Sequence, residues 1–338
     1  MYIWQKTQWQ HLMQQSVNLP HAMLFRGQAG TGKFEFAMHL SNALLCQSLT
    51  ELKQACGSCP SCTWFKEGHH PDFRLISPED ADDNDDAAIN LSKKKTTKKS
   101  QISVAQIRQL NNFLSLSSHQ VNSLRFILIA PADTLNIASA NALLKMLEEP
   151  PANTLFILVT SQPQRLLATI LSRCQIVDMP LPNSQDALSW LTEQGINNAK
   201  TWLDYAGGAP LLAQQFFEEG NASEQLIKHL ILGAKLDAFT CAPLLLALGI
   251  ERAIDALQKW IFDITLYASS QRIHYHTQHR SALQALCKSV NLKLVLNFQQ
   301  KLVEAKKTAN HPLSNEMQLE NILLQYSYIF KPISLKPS

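Results

Sequence analysis

Ala22-Met23-Leu24-Phe25 is an apolar run, and Arg26 joins it to Gly27-Gln28-Ala29-Gly30-Thr31-Gly32-Lys33. The run reads as a buried strand and the glycine-rich turn as a phosphate-binding loop. Lys33 to Leu45 reads as the helix the loop opens, with Phe36, Ala37, Leu40, Ala43 and Leu44 at helical spacing. Glycines let backbone N–H groups point inward at phosphate oxygens, the helix N-terminus adds its dipole, and the lysine supplies a charge. Strand, loop and helix in this order decide for an α/β fold. Phe73 to Ile76, Phe126 to Ile129, Leu155 to Val159 and Gln175 to Val177 are further short apolar runs, separated by helix-period stretches. That is the pattern of a parallel sheet covered by helices on both faces. One such helix, Ser139 to Glu149 with Ala142, Leu143 and Leu147, is stopped by Pro150-Pro151.

Beyond Pro180 the strand signal vanishes, and helical patterns rich in Leu, Ala and Gln run to Tyr328, broken most plainly at Gly207-Gly208-Ala209-Pro210. The chain therefore divides into an α/β domain at 1–179, a small helical domain at 180–213 and a larger all-helical domain at 214–338. With 338 residues, 46% hydrophobic and 17% charged, it can bury several cores, which excludes a disordered or fibrous protein. No apolar run approaches the ~20 residues of a membrane span, and the start lacks a basic region followed by an apolar one, so the expected location is cytoplasmic. A net charge of +3 makes any DNA contact local. The stretch 79–100 carries Asp80, Asp82, Asp83, Asp85 and Asp86, then Lys93, Lys94, Lys95, Lys98 and Lys99. It reads as a solvated insertion; lysines touching DNA phosphates are the alternative.

The loop lacks the parts that hydrolysis needs. Ser or Thr after the loop lysine ligates Mg²⁺, and here that position is Phe34. A metal-facing carboxylate normally ends a neighbouring buried strand, yet Phe126 to Ile129 is followed by Ala130-Pro131-Ala132-Asp133. Asp133 lies further on and reads as a loop or cap residue where the chain has turned away, a displaced metal ligand being the alternative. Losing both metal contacts removes on the order of several kcal/mol of transition-state stabilisation. Lys33 leaves binding of ATP or ADP without turnover open.

Cys46, Cys56, Cys59 and Cys62 are four of seven cysteines and fall in one short segment. Four thiolates satisfy a tetrahedral Zn²⁺ with no position left for water, so the site is read as structural, and Gly57 and Pro60 help the backbone fold around the ion. His69 and His70 lie close by and could replace a ligand, but they precede a strand and read as turn residues. Cys174, Cys241 and Cys287 are solitary. Ser172-Arg173-Cys174 stands just before Gln175 to Val177, where an arginine by itself reads as a surface salt bridge.

Phosphate loop, cysteine cluster, Asn141-Ala142-Leu143-Leu144-Lys145-Met146-Leu147-Glu148-Glu149-Pro150-Pro151 and Ser172-Arg173-Cys174, in this order, resemble the clamp-loader branch of the AAA+ proteins. The motifs span the first 180 residues, and the helical remainder matches in length and character only. The resemblance implies an AAA+ (RecA-like) α/β domain with a zinc module, a small helical lid and a C-terminal helical collar. It also implies a place in the five-subunit ring that opens the sliding clamp on primed DNA during replication by DNA polymerase III. The partners implied are the gamma/tau and delta subunits, with the clamp and DNA reached through the assembly and no membrane.

With its loop degenerate, the chain resembles the non-hydrolysing, stator-type member, without intrinsic ATPase or polymerase activity. The Ser-Arg-Cys motif makes Arg173 an arginine finger acting in trans on the neighbour's nucleotide. Thr160 matches the family's sensor position and reads as vestigial. No lid arginine stands near Ala209-Pro210. The alternatives are an active gamma/tau-like ATPase, against which Phe34 and Ala130 speak, and a zinc-containing DNA-binding protein, against which the near-neutral charge speaks.

Overall fold

The computed structural model describes residues 1–78, 101–115, 124–219, 222–307 and 315–330; the 79–100 insertion, with its acidic and lysine blocks, lies outside the described residues. The chain divides into two units, Met1–Asp186 and Ala187–Ser338.

The first unit runs α1 (Lys6–Gln14), β1 (Ala22–Arg26), α2 (Lys33–Leu45), α3 (Pro60–Glu67), β2 (Phe73–Ile76), α4 (Val104–Ser115), β3 (Arg125–Ile129), α5 (Ile137–Glu148), β4 (Thr154–Thr160), α6 (Ala168–Leu171) and β5 (Gln175–Asp178). The strands form one parallel sheet in the order β2-β3-β4-β1-β5. Parallel neighbours cannot be joined by a tight turn, so each connection crosses a sheet face, and the helices travel on those crossovers.

Alternation along the strands then sorts the core into two layers. Leu24, Ile127, Ile129, Phe156 and Leu158 meet Ile107 and Leu110 of α4 and Leu143 and Leu147 of α5. Met23, Phe25, Phe126, Leu128 and Ile157 meet Trp9, Leu12 and Met13 of α1 and Phe36 and Leu40 of α2. All of β4 is buried, as a central strand covered on both faces must be. Truncating fully buried Phe36 to alanine would cost about 3–5 kcal/mol.

The helix ends follow local chemistry. Asn136 caps α5, its side chain accepting from the Ser139 N–H at 2.8 Å, and the diproline lies beyond its last turn. Cys59 caps α3, Pro60 fills its first position, and Gly68 ends it at φ +80°.

The second unit is helical. The helix α7 (Ser184–Glu193) carries the boundary between the units and is followed by α8 (Ala199–Tyr205) and α9 (Pro210–Glu219). These close a small core around Ala187, Leu191, Leu203, Ala206 and Ala213. The break at Gly207–Pro210 is the turn from α8 to α9, and α9 continues past residue 213. Then come α10 (Ala222–Leu230), α11 (Ala238–Leu248), α12 (Ile250–Ser270), α13 (Arg280–Cys287), α14 (Leu292–Lys307) and α15 (Asn315–Tyr328). Their core centres on Leu257, Trp260, Leu323 and Tyr326. Trp260 Nε1 donates to the Tyr326 hydroxyl at 2.8 Å, and that hydroxyl donates to the Leu230 carbonyl at 2.7 Å.

Fully buried Asp263 accepts the N–H groups of His274, Tyr275 and His276. Burial pushes this carboxyl up, but its hydrogen bonds from His276 and the loop backbone outweigh burial and hold it below its ordinary value. No helix among the described residues is long and apolar enough to cross a membrane.

Candidate functional site

The glycine-rich loop sits between β1 and α2, where its three glycines answer either a close approach or a left-handed backbone. A Cβ on Gly27 would stand 2.1 Å from the Met179 carbonyl oxygen, so the chain leaving β1 touches the chain leaving β5. Gly30 and Gly32 hold φ of +77° and +81°, backbone that other residues rarely adopt. At Gly32 a Cβ would also strike the Tyr2 ring at 2.6 Å and Gln5 Nε2 at 2.8 Å.

Those last neighbours are a feature the sequence reading missed. A short 3₁₀ turn, Ile3–Gln5, lays Trp4 and Gln5 on the loop. Trp4 Nε1 donates to the Thr31 carbonyl at 3.0 Å, and Gln5 Nε2 donates to the carbonyls of Thr31 at 3.1 Å and Gly32 at 2.7 Å. Nothing in the spacing from residue 4 to residue 31 signals this contact; only the tertiary fold creates it.

Lys33 Nζ donates to the Gln28 carbonyl at 2.6 Å, so the loop's cation is turned onto its own backbone. Burial pulls its pKa down to about 8, while Asp133 and Glu35 pull it back up. Phe34 is 39% exposed and offers no oxygen. Beyond β3, Ala130 and Pro131 hold no carboxylate, as read from sequence.

Asp133 requires a correction. The sequence reading turns it away as a loop residue, but the 3₁₀ turn Ala132–Thr134 aims its carboxylate back at the sheet. Asp133 Oδ1 accepts the hydroxyl of Thr160, at the end of β4, over 2.5 Å, and its charge is felt at Lys33. Thr160 Oγ1 in turn accepts the Gln162 N–H at 2.9 Å. Thr160 is therefore engaged by a carboxylate of its own chain.

Cys46, Cys56, Cys59 and Cys62 converge, with all four sulfurs within 4.8 Å of one another. Cys46 follows α2, Cys59 and Cys62 belong to the start of α3, and Cys56 lies on the connecting turn, where Gly57 takes φ +73°. The Cys46–Cys59 and Cys56–Cys62 sulfur separations are 3.9 and 4.0 Å. A tetrahedron with zinc–sulfur bonds of about 2.3 Å has edges of about 3.8 Å, so the sulfurs fit such an ion.

Backbone N–H groups point at the sulfurs: Cys56 and Ser48 at Cys46, Cys59 at Cys56, and Cys62 at Cys59. Hydrogen bonds from Ser58 and the Cys59 N–H draw the Cys56 thiol down to about 6, whereas burial pushes Cys62 up to about 12. His70 stays outside this set. Its Nδ1 accepts the Asp72 N–H at 3.1 Å and its Nε2 meets Ser61 Oγ at 2.9 Å, which occupies both ring nitrogens. The four cysteines can hold a metal such as zinc.

Arg173 follows α6 at the surface. Its Nη2 pairs with Glu148 Oε1 at 2.6 Å, and its Nη1 donates to the Thr169 carbonyl at 3.0 Å and meets Ser172 Oγ at 3.4 Å. The Asn141–Pro151 and Ser172–Cys174 motifs are thus joined by one ion pair. The sequence shows both motifs but not that they touch.

Residues 4–183 match the model of the family described as DNA polymerase III, delta subunit. DNA polymerase III subunit delta' of Pseudomonas aeruginosa is 35% identical over 224 residues, 65% of this chain and 62% of that protein. The corresponding subunit of Yersinia pestis is 32% identical over 257 residues, 73% of this chain and 69% of that protein. The matched region therefore spans less than two thirds of the Pseudomonas relative's length. In fold, the chain is similar at TM-score 0.42 and 16% identity to the crystal structure of a gamma-subunit-related protein of DNA polymerase III from Thermotoga maritima, over 96% of this chain and 100% of that one. The family match covers more than half of the chain, which therefore belongs to the DNA polymerase III delta-prime subunit family.

Proposed function

We propose that the chain is a non-hydrolysing, stator-type subunit of the DNA polymerase III clamp loader. In this reading it assembles with the gamma/tau and delta subunits, helps to open the sliding clamp on primed DNA, and lends Arg173 to the neighbouring subunit's ATP. Residues 180–213 serve as its lid and 214–338 as its collar.

One observation carries the reading: the loop that should hold a triphosphate is closed on itself. Lys33 is spent on Gln28, Trp4 and Gln5 bind the outer carbonyls of the loop, and neither Phe34 nor Ala130 can grip a magnesium ion. Phosphoryl transfer depends on placed charge and metal, and the loop's one cation is turned onto its own backbone while the metal ligands are missing. Arg173, by contrast, is a planar, permanently charged group on the surface, suited to a phosphate brought by another subunit.

The four cysteines are proposed to hold a structural Zn²⁺, which supplies a cross-link between α2 and α3 and has no catalytic position. The backbone N–H groups of Cys56, Cys59 and Cys62 orient the sulfurs of Cys46, Cys56 and Cys59.

The test compares ATP hydrolysis by the purified chain and by the reconstituted assembly with clamp and primed DNA. The chain alone turns over no ATP above background, and Arg173→Ala lowers hydrolysis by the assembly by about 10³-fold or less, the lower end of arginine-finger effects. Vigorous hydrolysis by the chain alone favours the gamma/tau-like alternative, and an unchanged rate with Arg173→Ala rejects the finger.

A further inference from the structure

We infer that Glu148 is a positioning residue for Arg173: it holds the guanidinium in the orientation from which the arginine meets a nucleotide γ-phosphate on the neighbouring subunit. The inference rests on the arginine-finger reading above.

Arginine is long and flexible, and a finger is useful only if its fork is already aimed. Here the two terminal nitrogens are held from different sides, Nη2 by Glu148 Oε1 at 2.6 Å and Nη1 by the Thr169 carbonyl at 3.0 Å. With the longer contact to Ser172 Oγ at 3.4 Å, these use at most three of the five guanidinium N–H donors. The remaining donors are available to a ligand, and the side chain keeps 34% of its surface exposed.

Stability does not account for the carboxylate. Glu148 is the last residue of α5, where the helix dipole disfavours an acid, and Glu149 follows it. An ion pair as exposed as this one adds little to folding. Its position is stiffened instead: α5 is packed on the sheet through Leu143 and Leu147, and Pro150-Pro151 restrict the backbone just beyond. The arginine is thereby tied to the end of a helix that is packed on the sheet of its own unit.

The experiment uses the reconstituted clamp loader with Glu148→Ala, Glu148→Gln, Arg173→Ala and the double substitution. Glu148→Ala lowers kcat for DNA-dependent ATP hydrolysis about tenfold and leaves the KM for ATP and assembly unchanged. Glu148→Gln, whose amide oxygen still accepts from Nη2, recovers most of the rate. The double variant is no slower than Arg173→Ala, because both changes act on one group. A normal kcat for Glu148→Ala beside a slow Arg173→Ala overturns the positioning role alone, as does full additivity in the double variant. A normal kcat for Arg173→Ala overturns the finger and this inference together.

The isolated chain gives an independent readout by NMR relaxation of Arg173 Nε–Hε. Glu148→Ala increases the mobility of that bond vector, and unchanged mobility overturns the positioning role whatever the loader does.

Discussion

His276 is buried beneath Trp260 and Tyr205, with ring centroids 5.0 and 5.3 Å away, and its Nδ1 lies 2.8 Å from Asp263 Oδ2. Burial pushes its pKa below the ordinary 6.5, against the pull of Asp263, so the folded chain holds the neutral ring with the proton on Nδ1. The unfolded chain accepts a proton that the folded chain refuses. Stability from this site is therefore full above the ordinary value and is lost as pH falls through it toward the lower folded value. His276→Asn keeps a donor toward Asp263 but cannot titrate. Urea unfolding between about pH 7 and pH 5 should show the wild-type slope reduced in this variant by up to about 1.4 kcal/mol per pH unit, and identical slopes would sink the assignment. None of this is legible in the sequence, where Asp263 and His276 are two polar residues in a helical pattern. Asp133 and Thr160 escaped for the same reason, since the 3₁₀ turn that joins them is set by packing.

Elements were more legible than pairings. The apolar run Phe73 to Ile76 is β2 and the run Lys33 to Leu45 is α2, while the other strands extend by a residue or so beyond the runs that announced them. Alternation and helical spacing are local signals and survive without tertiary knowledge. The cysteine spacing was equally local, because no more than nine residues separate one cysteine of the cluster from the next, which keeps the sulfurs within chain reach of each other.

The cysteine turn also carries the element-scale prediction. Once metal is stripped by a chelator, brief alkylation near pH 7 should label Cys56 first and Cys62 last, since the first thiol titrates at about 6 and the second at about 12. Bound metal should protect all four. Peptide mapping by mass spectrometry reads the order, and equal labelling of Cys56 and Cys62 counts against the hydrogen-bond pattern described.

At the scale of the molecule, the sheet and the helical unit have separate cores, and the cysteine cluster belongs only to the first. Ligand binding stabilises the unit that holds the site. Calorimetry with and without chelator should therefore move one transition and leave the other in place, whereas a joint shift would show that the units melt together. That the strands end near residue 180 was legible because strand patterning stops there. The Trp260–Tyr326–Leu230 chain was not, as its members are 66 and 96 residues apart.

That last chain has a consequence for biosynthesis. The sheet is complete within the first 186 residues, so it can finish while the rest of the polypeptide is still being translated. The helical bundle cannot, because the hydroxyl that ties α10 to α12 arrives on α15. Until that helix emerges from the ribosome, Trp260 and its apolar neighbours stay open to chaperones, and a message truncated before codon 326 yields a sound head on an unsealed body.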